Sequence, residues 1–558
     1  MHEIQAKTAP LVNLSQVKCI TGFDAIRATY PDYLTDESRL TAKPFDCLFF
    51  PKNEGELAAV LRDLNEQRIP VTIAGARTGL VGGSVPPAGA LISLELFNQI
   101  EAVRFDPHLD EWRVSAQAGV SLLDLENFLA SHQAPGLNDA PESIRAELAR
   151  FKLDPVDYFY PPDPTETTAS LGGTVATNAS GARAYRYGPT RAWIRGLRVF
   201  LANGEYLDIP RGRYFASPFG SFTIFSANGK SCSFNIPDYT LPATKNAAGF
   251  FTAPQMDLID LFIGSEGVLG VITKVEVALL ERQNKIAMIQ FLDSDDRAVQ
   301  LTQALRSDSR LALDYLEFYS ENTLQLLRDL QNKPGFPAGI PPISPDARAA
   351  LFFEMDYDPE TDEFDISALE ETISSCGADL ANSWAATDER EVDNFKRLRH
   401  LVPETINSII AERKRQYPGI HKLGTDLAVP DQFLQEIWDF YKSKCDAGHF
   451  EWVAFGHIGN NHIHVNILPR DMQELISALE LFEDFARRAV ELGGSVSAEH
   501  GIGKLKQKFF RLMYTSAQIE QMWQVKLTLD QNVILNPGVL FQSQFNHRKW
   551  FTCRGTGI

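Results

Sequence analysis

Two stretches in the C-terminal half concentrate residues that ligate metals and move protons. The first is Phe455-Gly456-His457-Ile458-Gly459-Asn460-Asn461-His462-Ile463-His464-Val465-Asn466, and the second is Ser497-Ala498-Glu499-His500-Gly501-Ile502-Gly503. Five of the 11 histidines lie between 449 and 500. An isolated histidine is usually a hydrogen-bonded structural group, but this clustering favours a site. His462, His464 and Asn466 alternate, so a strand would present them on one side. Two imidazoles and a carboxylate form the donor set of a catalytic divalent-metal site, with positions left open for substrate. Neighbouring side chains on a strand point oppositely. Glu499 and His500 therefore suit a division of labour, one on the metal and one on the substrate. Cationic segments precede the cluster, Phe395-Lys396-Arg397-Leu398-Arg399 and His421-Lys422-Leu423-Gly424-Thr425-Asp426. A guanidinium fork suits a carboxylate. The basic run 503–513 reads as a solvated face.

A second chemistry is written in glycines. From Thr78 to Leu94 no residue is charged, and Gly75, Gly79, Gly82 and Gly83 crowd the start of that stretch. Glycine lets backbone N–H groups approach a ligand, and successive N–H groups form an anion-binding nest. The pattern is neither a P-loop nor a Rossmann fingerprint. Leu80 and Val81 within it point to burial. A second uncharged stretch, 167–182, offers Gly172-Gly173 and Asn178-Ala179-Ser180-Gly181, followed by Arg183, Arg186 and Tyr187. A third element, Gly264-Ser265-Glu266-Gly267-Val268-Leu269-Gly270-Val271-Ile272-Thr273, reads as a tight turn into a strand.

Together and in this order, these elements resemble the FAD-dependent D-2-hydroxy-acid dehydrogenases of the vanillyl-alcohol oxidase/p-cresol methylhydroxylase superfamily. The resemblance implies an α+β chain: an FAD-binding domain, an α+β substrate domain with antiparallel sheet, and a helical C-terminal segment. It implies FAD contacts from Gly75, Ala76, Arg77, Thr78, Gly79, Gly82, Gly83 and Ser84, with the diphosphate on this loop. Further FAD contacts are implied for Pro162, Gly172, Gly173, Thr177, Asn178, Gly181, Ala182 and Tyr187, for Glu266, Gly267, Val271 and Ile272, and for Asn536 in Ile534-Leu535-Asn536-Pro537-Gly538. The first loop has no His or Cys for covalent attachment, so dissociable FAD is expected.

The family pattern G-H-x-G-D-G-N-x-H-x-N, followed later by E-H-G, places His457, His464 and Glu499 as metal ligands. His500 becomes the base, and Asn466, Arg399 and Lys422 become substrate contacts. Asn460-Asn461-His462 stands where the family has Asp-Gly-Asn. Pro403 stands where the hydroxyglutarate branch has a hydroxyl residue. Zn²⁺ leads, with Mn²⁺ and Fe²⁺ not separable from ligand identity.

The implied reaction converts a D-2-hydroxy acid of the D-lactate or D-2-hydroxyglutarate class to the 2-oxo acid. The substrate hydroxyl would sit on the metal, its proton would go to His500, and its C2 hydride to flavin N5. Electrons would pass to an unidentified acceptor protein or quinone. TGLVGGSVP leans toward the hydroxyglutarate branch and Pro403 toward a smaller acid. Rival readings are an oxidase using O₂, an accessory FAD-binding subunit of a glycolate-oxidase-like complex, and ether-lipid synthase chemistry. The E-H-G and G-H-x-G pair argues against the last.

These residues need elements to position them. Helices are expected at 53–68, 121–132, 142–151, 296–307 and 366–376. Strands are expected at 46–51, 71–74, 91–94, 112–116, 196–201, 222–225, 268–280, 286–291 and 351–355. Alternating helical and strand texture up to Glu281, then a change, divides the chain into a helical lead-in (1–43), an FAD-binding domain (44–282), a substrate domain (283–541) and a tail (542–558). The 558 residues carry 53 Lys and Arg against 72 Asp and Glu, a net charge of −19. That balance argues against nucleic-acid partners, which need surplus cations. Six dispersed cysteines (19, 47, 232, 376, 445 and 553) form no C-x-x-C pair and fit reduced thiols in a cytoplasmic protein. No signal peptide or membrane-spanning run is expected. Peripheral membrane contact and a homodimer remain open.

Overall fold

The computed structural model describes residues 4–542 apart from Asn138, Gly335, Ala338 and 358–365, so the tail beyond 542 lies outside the described residues. The first domain contains two main sheets. A four-stranded sheet runs Lys18–Thr21, Cys47–Phe50, Ala90–Ser93, Val71–Ala74, with the last three parallel. Parallel strands need a crossover. Helix Glu54–Glu66 supplies it, buries Leu57, Val60, Leu61 and Leu64, and is capped by Asn53, whose side chain accepts from Glu56 N. Strand Val71–Ala74 thereby ends at the glycine loop.

A six-stranded antiparallel sheet follows, in the order Lys7–Thr8, Glu205–Pro210, Ile194–Phe200, Val271–Ala278, Glu111–Gln117, Ile100–Asp106. The lead-in corrects the sequence expectation. Besides helix Phe23–Thr29 it contributes short strands to three sheets, including the edge strand Lys18–Thr21. Its alternation of apolar and polar residues is too brief to read as strand without the sheets it joins.

The second domain is built on a seven-stranded antiparallel sheet, Ser383–Ala386, Lys285–Leu292, Ala349–Asp356, Leu313–Tyr319, Trp452–Gly456, His464–Ile467, Leu423–Gly424. Helices Asp295–Ser307, Glu321–Gln331, Glu389–Arg413 and Met472–Glu491 accompany it. Arg186 joins the domains by pairing with Asp314 (2.7 Å) and Asp356 (2.8 Å).

Past Gly503 the chain returns to the first domain. Val71 N donates to Ile534 O and Asn536 N to Val71 O, both at 2.7 Å. Lys526, fully buried, fastens this return through Asp530 (2.9 Å), Val268 O (2.8 Å) and Leu535 O (3.0 Å).

Candidate active site

The cofactor side is a cavity of about 320 Å³ walled by all three glycine elements and by Glu499, His500 and Asn536. Among the described residues, no backbone N–H from Arg77 to Ser84 donates to a protein acceptor. Such a run of unengaged donors is the nest an anionic diphosphate needs. A Cβ added at Gly79 or Gly83 would meet no protein atom within 4 Å, so both glycines leave their open face to a ligand. The donors and the open groove fit FAD.

The lining includes Gly75, Ala76, Arg77, Thr78, Gly79, Gly83, Ser84, Gly172, Gly173, Thr177, Glu266, Gly267, Val271 and Ile272. Gly82, Pro162, Asn178, Gly181, Ala182 and Tyr187 stand outside that wall. Gly82 presents its carbonyl to Lys504 (2.9 Å), and Asn178 lines a neighbouring cavity of about 310 Å³ with Lys245. A Cβ at Gly181 would strike Asp163. Ala182 packs in the apolar cluster of the second domain, and the Tyr187 hydroxyl donates to Asp314 (3.0 Å). Tyr187 thus belongs to the domain junction, which its local sequence does not reveal. Leu80 is 48% exposed, against the burial its apolarity implied, while Val81 is buried.

Glu266 and Asn536 hold this cavity to the catalytic loop. The Glu266 carboxylate accepts from Ile502 N (2.8 Å) and Gly503 N (2.7 Å), and Asn536 Nδ2 donates to Glu266 O (2.7 Å). Burial pushes the Glu266 carboxyl up to about 7, against the pull of those amides. The fold favours its neutral form. This contribution to stability is therefore full below the ordinary value of 4.5 and is lost as pH rises through 7. Glu266→Gln should flatten the stability–pH slope across that window, as checked by thermal midpoints at several pH values. An unchanged slope would place the titration elsewhere.

The supposed solvated face of 503–513 is corrected too. Lys504 is largely buried on the glycine loop, and Lys506 Nζ donates to Asp426 Oδ2 (2.5 Å). Lys508 alone of the three lysines is half-exposed. A short charge pattern cannot reveal that the segment is clamped between domains.

On the substrate side, ligand atoms of His457, His462, His464 and Glu499 all lie within 4.8 Å of one another. Strand Trp452–Gly456 delivers His457 at its end, and His464 opens the adjacent strand. Each carries a backing partner on Nδ1: the Glu317 carboxylate for His457, and Thr425 O at 2.7 Å for His464. Such partners fix the tautomer and leave Nε2 to ligate. His457 Nε2 stands 3.2 Å from Glu499 Oε1. Burial opposes charge on His457, but Glu317 and Glu499 outweigh it and raise the imidazole to about 9. Glu499 is held well below its usual range despite burial, by Lys245 and His457. The donor set, its backing and its burial fit a divalent metal.

Asp426 organises the other flank. It accepts from Glu499 N and His500 N, both at 3.0 Å, and from Ser497 Oγ (2.7 Å), and lies 3.4 Å from His500 Nδ1. Burial lowers the His500 imidazole, with Asp426 opposing, so His500 is neutral and able to accept a proton. Arg399 Nε lies 3.5 Å from Glu317 Oε2, on the carboxylate that backs His457. Pro403 is inside the same helix and cannot donate to the Arg399 carbonyl four residues before it. Asn466 is buried beside His464, donating to its carbonyl (3.2 Å). Lys422 has no hydrogen bond or ion pair among the described residues, and burial lowers its ammonium. Glu317 and Lys245 were not singled out from sequence. The available signals were two carboxylates, Asp314 and Glu317, inside the apolar strand Leu313–Tyr319 and the single charge of Lys245 between Asp238 and Asp257.

Residues 45–144 and 146–210 match the family "FAD binding domain", and residues 280–540 match "FAD linked oxidases, C-terminal domain". The chain belongs to the FAD-linked oxidoreductases of the p-cresol methylhydroxylase type. It is 27% identical to the glycolate oxidase subunit GlcD of Bacillus subtilis, over 96% of this chain and 97% of that one. It is 28% identical to a D-lactate dehydrogenase of Anaerostipes hadrus (91% and 92% covered) and 26% identical to a D-2-hydroxyglutarate dehydrogenase of Stutzerimonas stutzeri (94% and 96% covered). An alkyldihydroxyacetonephosphate synthase structure shares the fold, with TM-score 0.57 and 15% identity over 95% of this FAD-linked chain and 89% of that one. Among the described residues of this oxidoreductase, no helix is long and apolar enough to cross a membrane.

Proposed function

We propose that this oxidoreductase converts a D-2-hydroxy acid of the D-lactate or D-2-hydroxyglutarate class to the 2-oxo acid. The observation that carries the reading is one continuous wall: the groove of the glycine loops runs into Glu499 and His500. The relatives' named substrates point the same way. FAD, when bound, supplies the hydride acceptor, and a divalent ion on His457, His464 and Glu499 supplies Lewis acidity. His500 takes the hydroxyl proton, with its ring oriented by Asp426. Glu317 holds the His457 tautomer. Arg399, Lys422 and Asn466 orient the substrate carboxylate end.

The test is anaerobic reduction of the bound flavin by a panel of chiral 2-hydroxy acids. D-Lactate or D-2-hydroxyglutarate should bleach the yellow protein and the L-enantiomers should not. A flavin bleached by no 2-hydroxy acid would favour an accessory electron-carrying subunit. Reoxidation by air at turnover rate would favour an oxidase over transfer to a protein or quinone.

A further inference from the structure

His462 occupies the position that the family pattern gives to asparagine, and its surroundings are not those of a packing residue. The side chain is fully buried. Neither ring nitrogen makes a hydrogen bond of acceptable geometry among the described residues. Leaving buried polar atoms unsatisfied is costly, so such atoms ask for a partner. Where they point is informative. Nε2 lies 3.2 Å from Asp426 Oδ1, and Nδ1, on the opposite side of the ring, faces Glu499 Oε1 at 3.9 Å. The ring centroid is 4.3 Å from that of His464 and 5.4 Å from that of His457. A carboxylate near one nitrogen and the shared centre before the other parallels His457, where the contacts are tighter: Glu317 hydrogen-bonds Nδ1 and Nε2 meets Glu499 at 3.2 Å.

We propose that His462 is a ligand in its own right, so that this chain offers three imidazoles and one carboxylate to a divalent first-row metal ion. The inference rests on the metal reading above and deepens it. With Asp426 behind Nε2, Nδ1 is the ligating atom. Four protein donors would close a tetrahedral site. An ion in this site must therefore take five or six ligands for a substrate hydroxyl and carboxylate oxygen to bind beside them, which favours Fe²⁺, Mn²⁺, Co²⁺ or Ni²⁺ over a four-coordinate Zn²⁺.

The experiment uses the full-length, FAD-loaded protein reconstituted with Co²⁺, and the variant H462N, which restores the family's side chain. X-ray absorption at the cobalt edge counts imidazole ligands, and competition with a chromophoric chelator gives the metal Kd. Three imidazoles are expected in the wild type and two in H462N, with affinity weakened about 100-fold or more. Flavin absorbance and circular dichroism check that H462N is folded, and if it is not, the wild-type count alone decides. Two imidazoles in the wild type, or an unchanged count and Kd in H462N, would overturn the proposal. Failure of the underlying reading looks different: the wild type would then bind no Co²⁺, and His457→Asn would change nothing.

Discussion

His500→Ala should reduce the rate at which substrate bleaches the flavin by about 10²- to 10⁴-fold, the usual contribution of a positioned general base. FAD content should stay as in the wild type. The geometry supports this separation. The His500 side chain meets Asp426 Oδ2 at 3.4 Å and lies nearly parallel to the His464 ring at 5.9 Å, but holds no backbone in place. Asp426 would keep Lys506, Ser497 and two backbone amides, so no buried carboxylate is orphaned. Stopped-flow mixing under argon provides the measurement. Wild-type flavin reduction in the alanine variant would remove His500 from the proton-transfer step.

Lys526→Met should cost about 3–5 kcal/mol of stability, the penalty for breaking a buried pair from one side. Asp530 has no exposed surface and would retain only the amides of Ile534 (3.1 Å) and Leu535 (2.8 Å), while the carbonyls of Val268 and Leu535 would lose their donor. The damage would not stay local. Asn536 lies on the same return segment and ties Ile73 N to Glu266 O across the cofactor groove. Urea denaturation in excess FAD should show a lowered midpoint, and the as-purified variant should be depleted of flavin. Lys526→Met/Asp530→Leu should recover part of the loss, because the uncompensated charge is removed. An unchanged midpoint in the single variant would mean that the pair does not fasten the segment.

Much of the candidate site was legible because the residues that would carry its chemistry lie in short, dense motifs. Glu499 and His500 are adjacent, His457, His462 and His464 lie within one turn and strand, and the glycine loops exclude charge over long runs. The backing groups were not legible, since their meaning depends on pairing between distant strands. Glu317 looks like one carboxylate in an apolar strand until the sheet brings it to His457. Lys504 and Lys506 look like ordinary surface cations until the segment is seen wedged between Val81 and Asp426. Helices such as Glu54–Glu66 and Asp295–Ser307 were readable from apolar spacing. Two of the lead-in strands, Ile4–Gln5 and Lys7–Thr8, were not, because two-residue pairings acquire their register only from the sheet edge they join.

The return of residues 503–541 also sets an order of events for the newborn chain. Strand Val71–Ala74 leaves the ribosome early, yet its partners Ile534 and Asn536 are made hundreds of residues later. Contacts of such sequence separation are slow to close, because the loop entropy is lost before the contact is gained. Until residues 534–536 are made, the edge of that strand lacks these partners. The cofactor cleft therefore gains the Ile534 and Asn536 side of its frame only after those residues have been made.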